Sequence, residues 1–151
     1  MTRTELPRTW RPLGTSLAGV GFGLMLVVLS LVLWIAWGAD VRSRFTFFQK
    51  ATVVALGVAF LAILHALVRC RVTARSDGLV VVNGYRSRHF DWAQPVAVNL
   101  RRGAPFATLD LSDGSTLSLW GIQGSDGGRA VRAVQQLRGV LAEQSRTERD
   151  D

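Results

Sequence analysis

One cysteine, Cys70, and two histidines, His65 and His89, are all the thiol and imidazole in this chain of 151 residues. A lone thiol closes no internal disulfide, and metal sites need several converging Cys or His ligands, so both kinds of staple are excluded. No serine stands in a Gly-x-Ser-x-Gly context. The glycine-rich stretch 124–129 lacks the Gly-Lys-Ser/Thr of a phosphate loop, and a plain strand-to-helix connection is its simpler reading. Lysine is nearly absent: Lys50 is the only one among 18 basic residues. Acidic residues are missing altogether from 16–37 and 51–68. The carboxylates Asp77, Asp113 and Asp126 fall where turns and helix caps want them. No catalytic residue, cofactor site or metal site is expected.

What is present is charge segregated from apolar sequence. Residues 16–37, SLAGVGFGLMLVVLSLVLWIAW, and 51–68, ATVVALGVAFLAILHALV, carry no charge apart from a titratable His65. A helix rising about 1.5 Å per residue needs roughly 20 apolar residues to cross a bilayer core. The first run reaches that alone, and the second with Phe47 and Phe48. The first is too long for a signal-peptide core, and Ala36-Trp37-Gly38 is a poor cleavage site, so an uncleaved anchor is expected. Trp34 and Trp37 mark its interface. Gly19-xxx-Gly23 is a small-residue match read as a seat for the second span rather than as a dimer motif.

A loop of about a dozen residues, 38–50, makes the spans an antiparallel hairpin. Arg3, Arg8 and Arg11 precede it and Arg69, Arg71 and Arg75 follow it, against Arg42, Arg44 and Lys50 in the loop. The positive-inside rule then puts both termini in the cytoplasm of a two-span plasma-membrane protein. The net charge of +7 flanks the spans and is scattered, which favours a membrane over nucleic acid as partner. His65 has no acidic residue in either span to relay protons with, so it is read as structural, as Cys70 is read as an incidental thiol.

Beyond Arg71 short β-prone runs alternate with turn signals: Ser76-Asp77-Gly78, Asn83-Gly84, 101–105 and Ser112-Asp113-Gly114. They predict six antiparallel strands. An amphipathic helix follows, capped by Ser125 or Asp126, with Ala130, Val131, Ala133, Val134, Leu137, Val140 and Leu141 on its apolar face. The chain thus divides into 1–15, a cytoplasmic segment; 16–37 and 51–68, the spans; 38–50, the external loop; 71–143, an α+β domain; and 144–151, a polar tail expected to fray.

Asp77-Gly78-Leu79 after the first strand, Trp92 after an arginine-bearing strand, and the paired strands of 109–119 around Asp113-Gly114 form an ordered set. Gly121-Ile122, Asp126 and Arg129-Ala130 then lead into the helix. In these residues the chain resembles bacterial pleckstrin-homology-like (PH-like) domains, in particular the actinobacterial group typified by low-molecular-weight protein antigen 6. The resemblance implies a split β-barrel of about six to seven antiparallel strands capped by a C-terminal helix, often behind one or two membrane spans. It implies binding rather than chemistry, and fold alone does not name the ligand.

Two functions remain open at this point. One is docking a protein partner, or a second copy, at the cytoplasmic face of the membrane through a strand edge or the groove beside the helix. The other is binding anionic lipid headgroups through Arg75, Arg86, Arg88, Arg101 and Arg102, each worth about 1 kcal/mol near such a surface. In phosphoinositide-binding relatives a basic loop between the first two strands supplies most of the contacts. Here it is the tight Ser76-Asp77-Gly78 with only Arg75 beside it, and the same arginines read equally well as solvated residues.

Overall fold

In the computed structural model residues 6–150 are described, with side chains through residue 145; Arg3 and the end of the polar tail lie outside those bounds. The chain opens with β1 (Arg8–Trp10), then the apolar helix α1 (Leu13–Ala36), a short α2 (Ala39–Arg44) and the apolar helix α3 (Phe47–Arg69). Strands β2 (Arg71–Arg75), β3 (Gly78–Asn83) and β4 (Arg86–Phe90) follow directly. Then come β5 (Pro95–Asn99), β6 (Phe106–Leu111) and β7 (Thr116–Gln123), a 3₁₀ turn (Gly124–Asp126) and α4 (Gly128–Asp150).

Both α1 and α3 are long and apolar enough to cross a membrane. A core helix of a water-surrounded protein would be mostly buried, yet only Gly23 of α1 and nothing of α3 is. The two pack on each other. Leu64 of α3 lies over Gly19 and Gly23, where a Cβ would come 3.6 and 2.5 Å from its methyl carbons. The small-residue motif is therefore filled from within the hairpin. At the far end Trp34, Trp37 and Phe45 cluster, the last two stacked at 5.5 Å. The loop is more ordered than its length predicts: α2 occupies it, and Thr46 and Gln49 form a capping box that starts α3.

The strands form two antiparallel sheets, β1-β2-β3-β4 and β5-β6-β7, which do not close into a barrel. Val72, Leu79, Val81 and Phe90 from one meet Val98, Ala107, Leu109, Leu119 and Ile122 from the other. The sheets approach closely where β7 crosses β2. A Cβ on Gly121 would stand 2.8 Å from the backbone of Arg71, so only glycine fits that crossing. The helix α4 closes the open end with Ala130, Val134, Leu137, Val140 and Leu141, while Val131 turns outward.

Six strands match the expectation, and a seventh does not come from where strands were expected. Pro7 and Pro12 discourage helix around 8–10, and those residues instead pair antiparallel with β2, Arg8 opposite Ala74 and Trp10 opposite Val72. Trp10 enters the core and donates from its indole N–H to Gln136 at 3.0 Å. Two further expectations need correcting. The helix α4 runs on to Asp150, because nothing after Glu143 breaks it. Asp126 does not cap α4: it lies in the 3₁₀ turn, and its carboxylate accepts from the Gly14 N–H of α1 at 3.1 Å.

The strand ahead of α1 makes a testable demand. Trp10→Ala in the full chain removes a side chain only 7% exposed and should cost about 3 kcal/mol, read as a fall in Tm. A fragment 71–151, lacking β1, should lose the cooperative unfolding of the full chain; equal cooperativity would show that β1 is dispensable.

Candidate functional site where the domain meets the apolar helices

No linker separates α3 from the domain: Cys70 caps the helix and β2 begins at Arg71. The β3–β4 hairpin returns to the same place. Its turn has Gly84 at φ 63°, the backbone a tight two-residue hairpin requires at its first position. The turn lies along the last turns of α3. The Gly84 N–H donates to the Cys70 sulfur at 3.2 Å, and that thiol donates to the Ala66 carbonyl at 3.4 Å. Cys70 is thus a buried joint between helix and hairpin rather than an incidental thiol. Beside it the Tyr85 hydroxyl donates to the Ala62 carbonyl at 2.9 Å and meets His65 Nδ1 at 3.1 Å. The Arg69 guanidinium covers the Tyr85 ring at 5.5 Å. His65 finds its partner in the domain, in keeping with its structural reading.

The start of α1 is held in the same way. Its N-cap, Pro12, offers no side-chain acceptor, and Asp126 supplies one from across the chain, placing a carboxylate at the positive end of the helix dipole. Thr15 donates its hydroxyl to Gln123. Both apolar helices are therefore bonded into the domain.

The gap between the sheets is bridged by one side chain. Asn83 donates from Nδ2 to the Ser118 carbonyl at 2.6 Å and accepts the Trp120 N–H on Oδ1 at 3.0 Å. One carboxamide thus supplies to β7 the donor and acceptor that a neighbouring strand would. At the other edge Arg138 of α4 donates to the Val98 carbonyl at 2.7 Å, covering β5.

This frame sorts the five arginines named from sequence. The register sets Arg88 opposite Val81 and Arg86 opposite Asn83. Side chains directly opposite share a face, so both arginines lie on the inner face of the sheet, beyond the core. They line a cleft of about 560 Å³ with Tyr85, Leu117, Ser118 and Trp120, whose inner wall is Ala66 of α3. No acidic residue lines that cleft. Arg75 is elsewhere, at the far turn of β2–β3, where its carbonyl accepts from Trp92. Arg101 and Arg102 belong to a third place, the β5–β6 connection beside Gly124 and Ser125. Arg86 and Arg88 come together, and the other three do not join them.

A second cleft, about 380 Å³, lies between β1 and α4, with Arg11, Arg129 and Arg132 on its walls and Asp126 at its end. Among the described residues no group of three or more His, Cys, Asp or Glu could hold a metal. The Asp113 carboxyl lies at the turn between β6 and β7, beside Ser115. The Ser115 hydroxyl and then its N–H hold that carboxyl below the ordinary range. Its share of stability is therefore present above the unfolded-state value and lost as pH falls through the folded one, the behaviour of a β-turn aspartate.

Sequence reasoning missed Asn83, Tyr85, Cys70 and Trp120. Asn83 was read only as half of a turn signal, and nothing local marks a carboxamide that reaches another strand 35 residues on. Tyr85 is the sole tyrosine, next to Arg86, a weak hint of an interface residue.

The bacterial PH-domain family matches residues 69–140, and this match carries no link to the antigen 6 type. Uncharacterised proteins of Mycobacterium bovis and of two Mycobacterium tuberculosis strains are 32% identical over 148 residues, covering 92% of this chain and 94% of the relative. That likeness includes the apolar helices as well as the domain. No solved structure matches the chain significantly.

If Asn83 substitutes for a strand, Asn83→Ala leaves the Trp120 N–H and Ser118 carbonyl without their partner. Stability should fall by about 1–2 kcal/mol, with faster amide exchange at Trp120 than in wild type. Unchanged exchange there would mean the bridge contributes nothing.

Proposed function

The chain belongs to the bacterial PH-domain family, and from that premise we propose that it is a non-catalytic platform in the plasma membrane that docks a protein partner on its cytoplasmic face. The observation that carries this reading is the interlock just described. With β1 paired to β2 across the helical hairpin, and with Asp126 and Tyr85 bonded to the two helices, the domain is presented in one orientation. A fixed orientation suits assembly of a complex better than capture at the end of a flexible tether.

The placement follows from charge. Arg8, Arg11, Arg69 and Arg71 lie at the domain end of the hairpin, and Arg42, Arg44 and Lys50 at the other. The larger group belongs in the cytoplasm. The docking surface is the cleft between β1 and α4. Arg11, Arg129 and Arg132 line it, and no guanidinium of the three has a hydrogen-bond or ion-pair partner among the described residues. The partner this cleft fits is an acidic segment, whose carboxylates guanidinium groups bind in two-point geometry. A second copy of the chain, basic overall at +7, is a poorer fit.

Two measurements test this. With Cys70 buried, a cysteine placed in the loop by Ser43→Cys should react with an impermeant maleimide in intact cells. Reaction only after lysis would invert the topology. The tagged full chain, extracted from its native membrane, should retain one stoichiometric protein that is lost in R129E/R132E and kept in R101E/R102E. A partner indifferent to the first pair, or no stoichiometric partner at all, would overturn the docking reading.

A further inference from the structure

The cleft beside α3 has a different character from the one beside α4. Its guanidinium groups, Arg86 and Arg88, have no hydrogen-bond or ion-pair partner among the described residues, and no carboxylate lines the cleft to neutralise them. Its wall is part of an apolar helix: Ala66 lies one turn before Arg69, where the run of uncharged sequence ends. Tyr85 and Trp120 line the same cleft as the two arginines and are 59% and 39% exposed, with the Trp120 ring stacked on Phe106 at 5.7 Å. Tyrosine and tryptophan favour the headgroup level of a bilayer, where the ring is shielded and the polar atom is wet.

Inward-facing charge on an edge strand has a plainer use, keeping other strands from pairing with it. That use needs only charge in solvent. It does not require the charges to abut a membrane-length helix, to be flanked by interface aromatics or to lack a counter-ion.

From these observations we propose that the cleft between β4, β7 and the end of α3 holds the phosphate of an anionic glycerophospholipid of the adjoining leaflet. The acyl chains lie along the apolar face of α3 near Ala62 and Ala66. The phosphate lies between the guanidinium groups of Arg86 and Arg88, whose planar forks match its oxygens. Tyr85 and Trp120 close the sides at the depth of the glycerol. The inference rests on the membrane placement proposed above but not on protein docking. It also puts the lipid at the end of the sheet opposite the β2–β3 turn and Arg75, so the contact is built by α3 and the split between the sheets.

The test uses the full chain in nanodiscs of phosphatidylcholine, alone or mixed with phosphatidylglycerol, with retained lipid counted by native mass spectrometry. Wild type should retain phosphatidylglycerol in preference to phosphatidylcholine. R86Q/R88Q should lose that preference by roughly 25-fold, about fivefold for each arginine near an anionic surface, at an unchanged Tm. R88Q alone should lose about fivefold, which keeps the test intact if the double variant is unstable. R101Q/R102Q should behave as wild type. Equal retention of both lipids by wild type, or an equal loss in R101Q/R102Q, would overturn the cleft and leave only diffuse surface charge. Failure of the chain to enter the nanodisc would overturn membrane placement and cleft together, whereas insertion without lipid preference would overturn the cleft alone.

Discussion

The pairing of β1 with β2 is the constraint on which the rest depends. A three-residue strand lies before α1 and its partner after α3, so both ends of the helical hairpin enter one sheet. Closing so long a loop would cost entropy if the intervening chain were flexible. Here the intervening chain is two helices already packed through Gly19, Gly23 and Leu64, which return the backbone to its starting point. The packing of the helices and the pairing of the strands therefore support each other. The caps follow from the same geometry: Asp126 can reach Gly14, and Tyr85 can reach Ala62, only because both helix ends are held at the sheet.

How much of this could be read from sequence depends on the range of the interaction. The apolar helices are stated outright by two uncharged runs, and the strands from Arg71 onward by turn residues whose chemistry is local. The apolar period of α4 was legible too, apart from Val131, since burial of a residue at the margin of a helical stripe depends on what the stripe meets. Residues 8–10 were not legible as a strand, because three residues carry no periodicity and their partner is more than 60 positions away. Asp126 read as the cap of the helix it precedes, and local rules cannot foresee that another helix lacking a cap of its own will take it.

The arginines show the same limit at the site. Alternation along β4 establishes that Arg86 and Arg88 share a face, but it does not say which face. That depends on their pairing with Val81 and Asn83, and on Phe90 entering the core two residues later. Shifting the register by one residue would turn both outward. Nothing in the order of residues ties Ala66 to the same cleft, since that contact is made by a hairpin folding back on the helix that precedes it.

A sheet that does not close must deal with its edges, and each edge here is handled differently. The β7 edge is capped by the carboxamide of Asn83, and β5 is covered by Arg138 from α4. The β1 strand is short and tied to α4 through Trp10 and Gln136. The β4 edge keeps its polar side chains in the open, Arg86 through His89 all exposed. Full closure of the barrel would have removed that edge and the cleft with it. Because Asn83 bridges the sheets at a single point, the split stays open beside it, and what borders the opening is the end of an apolar helix. The opening, the charge within it and the helix beside it all follow from bridging the sheets without joining them.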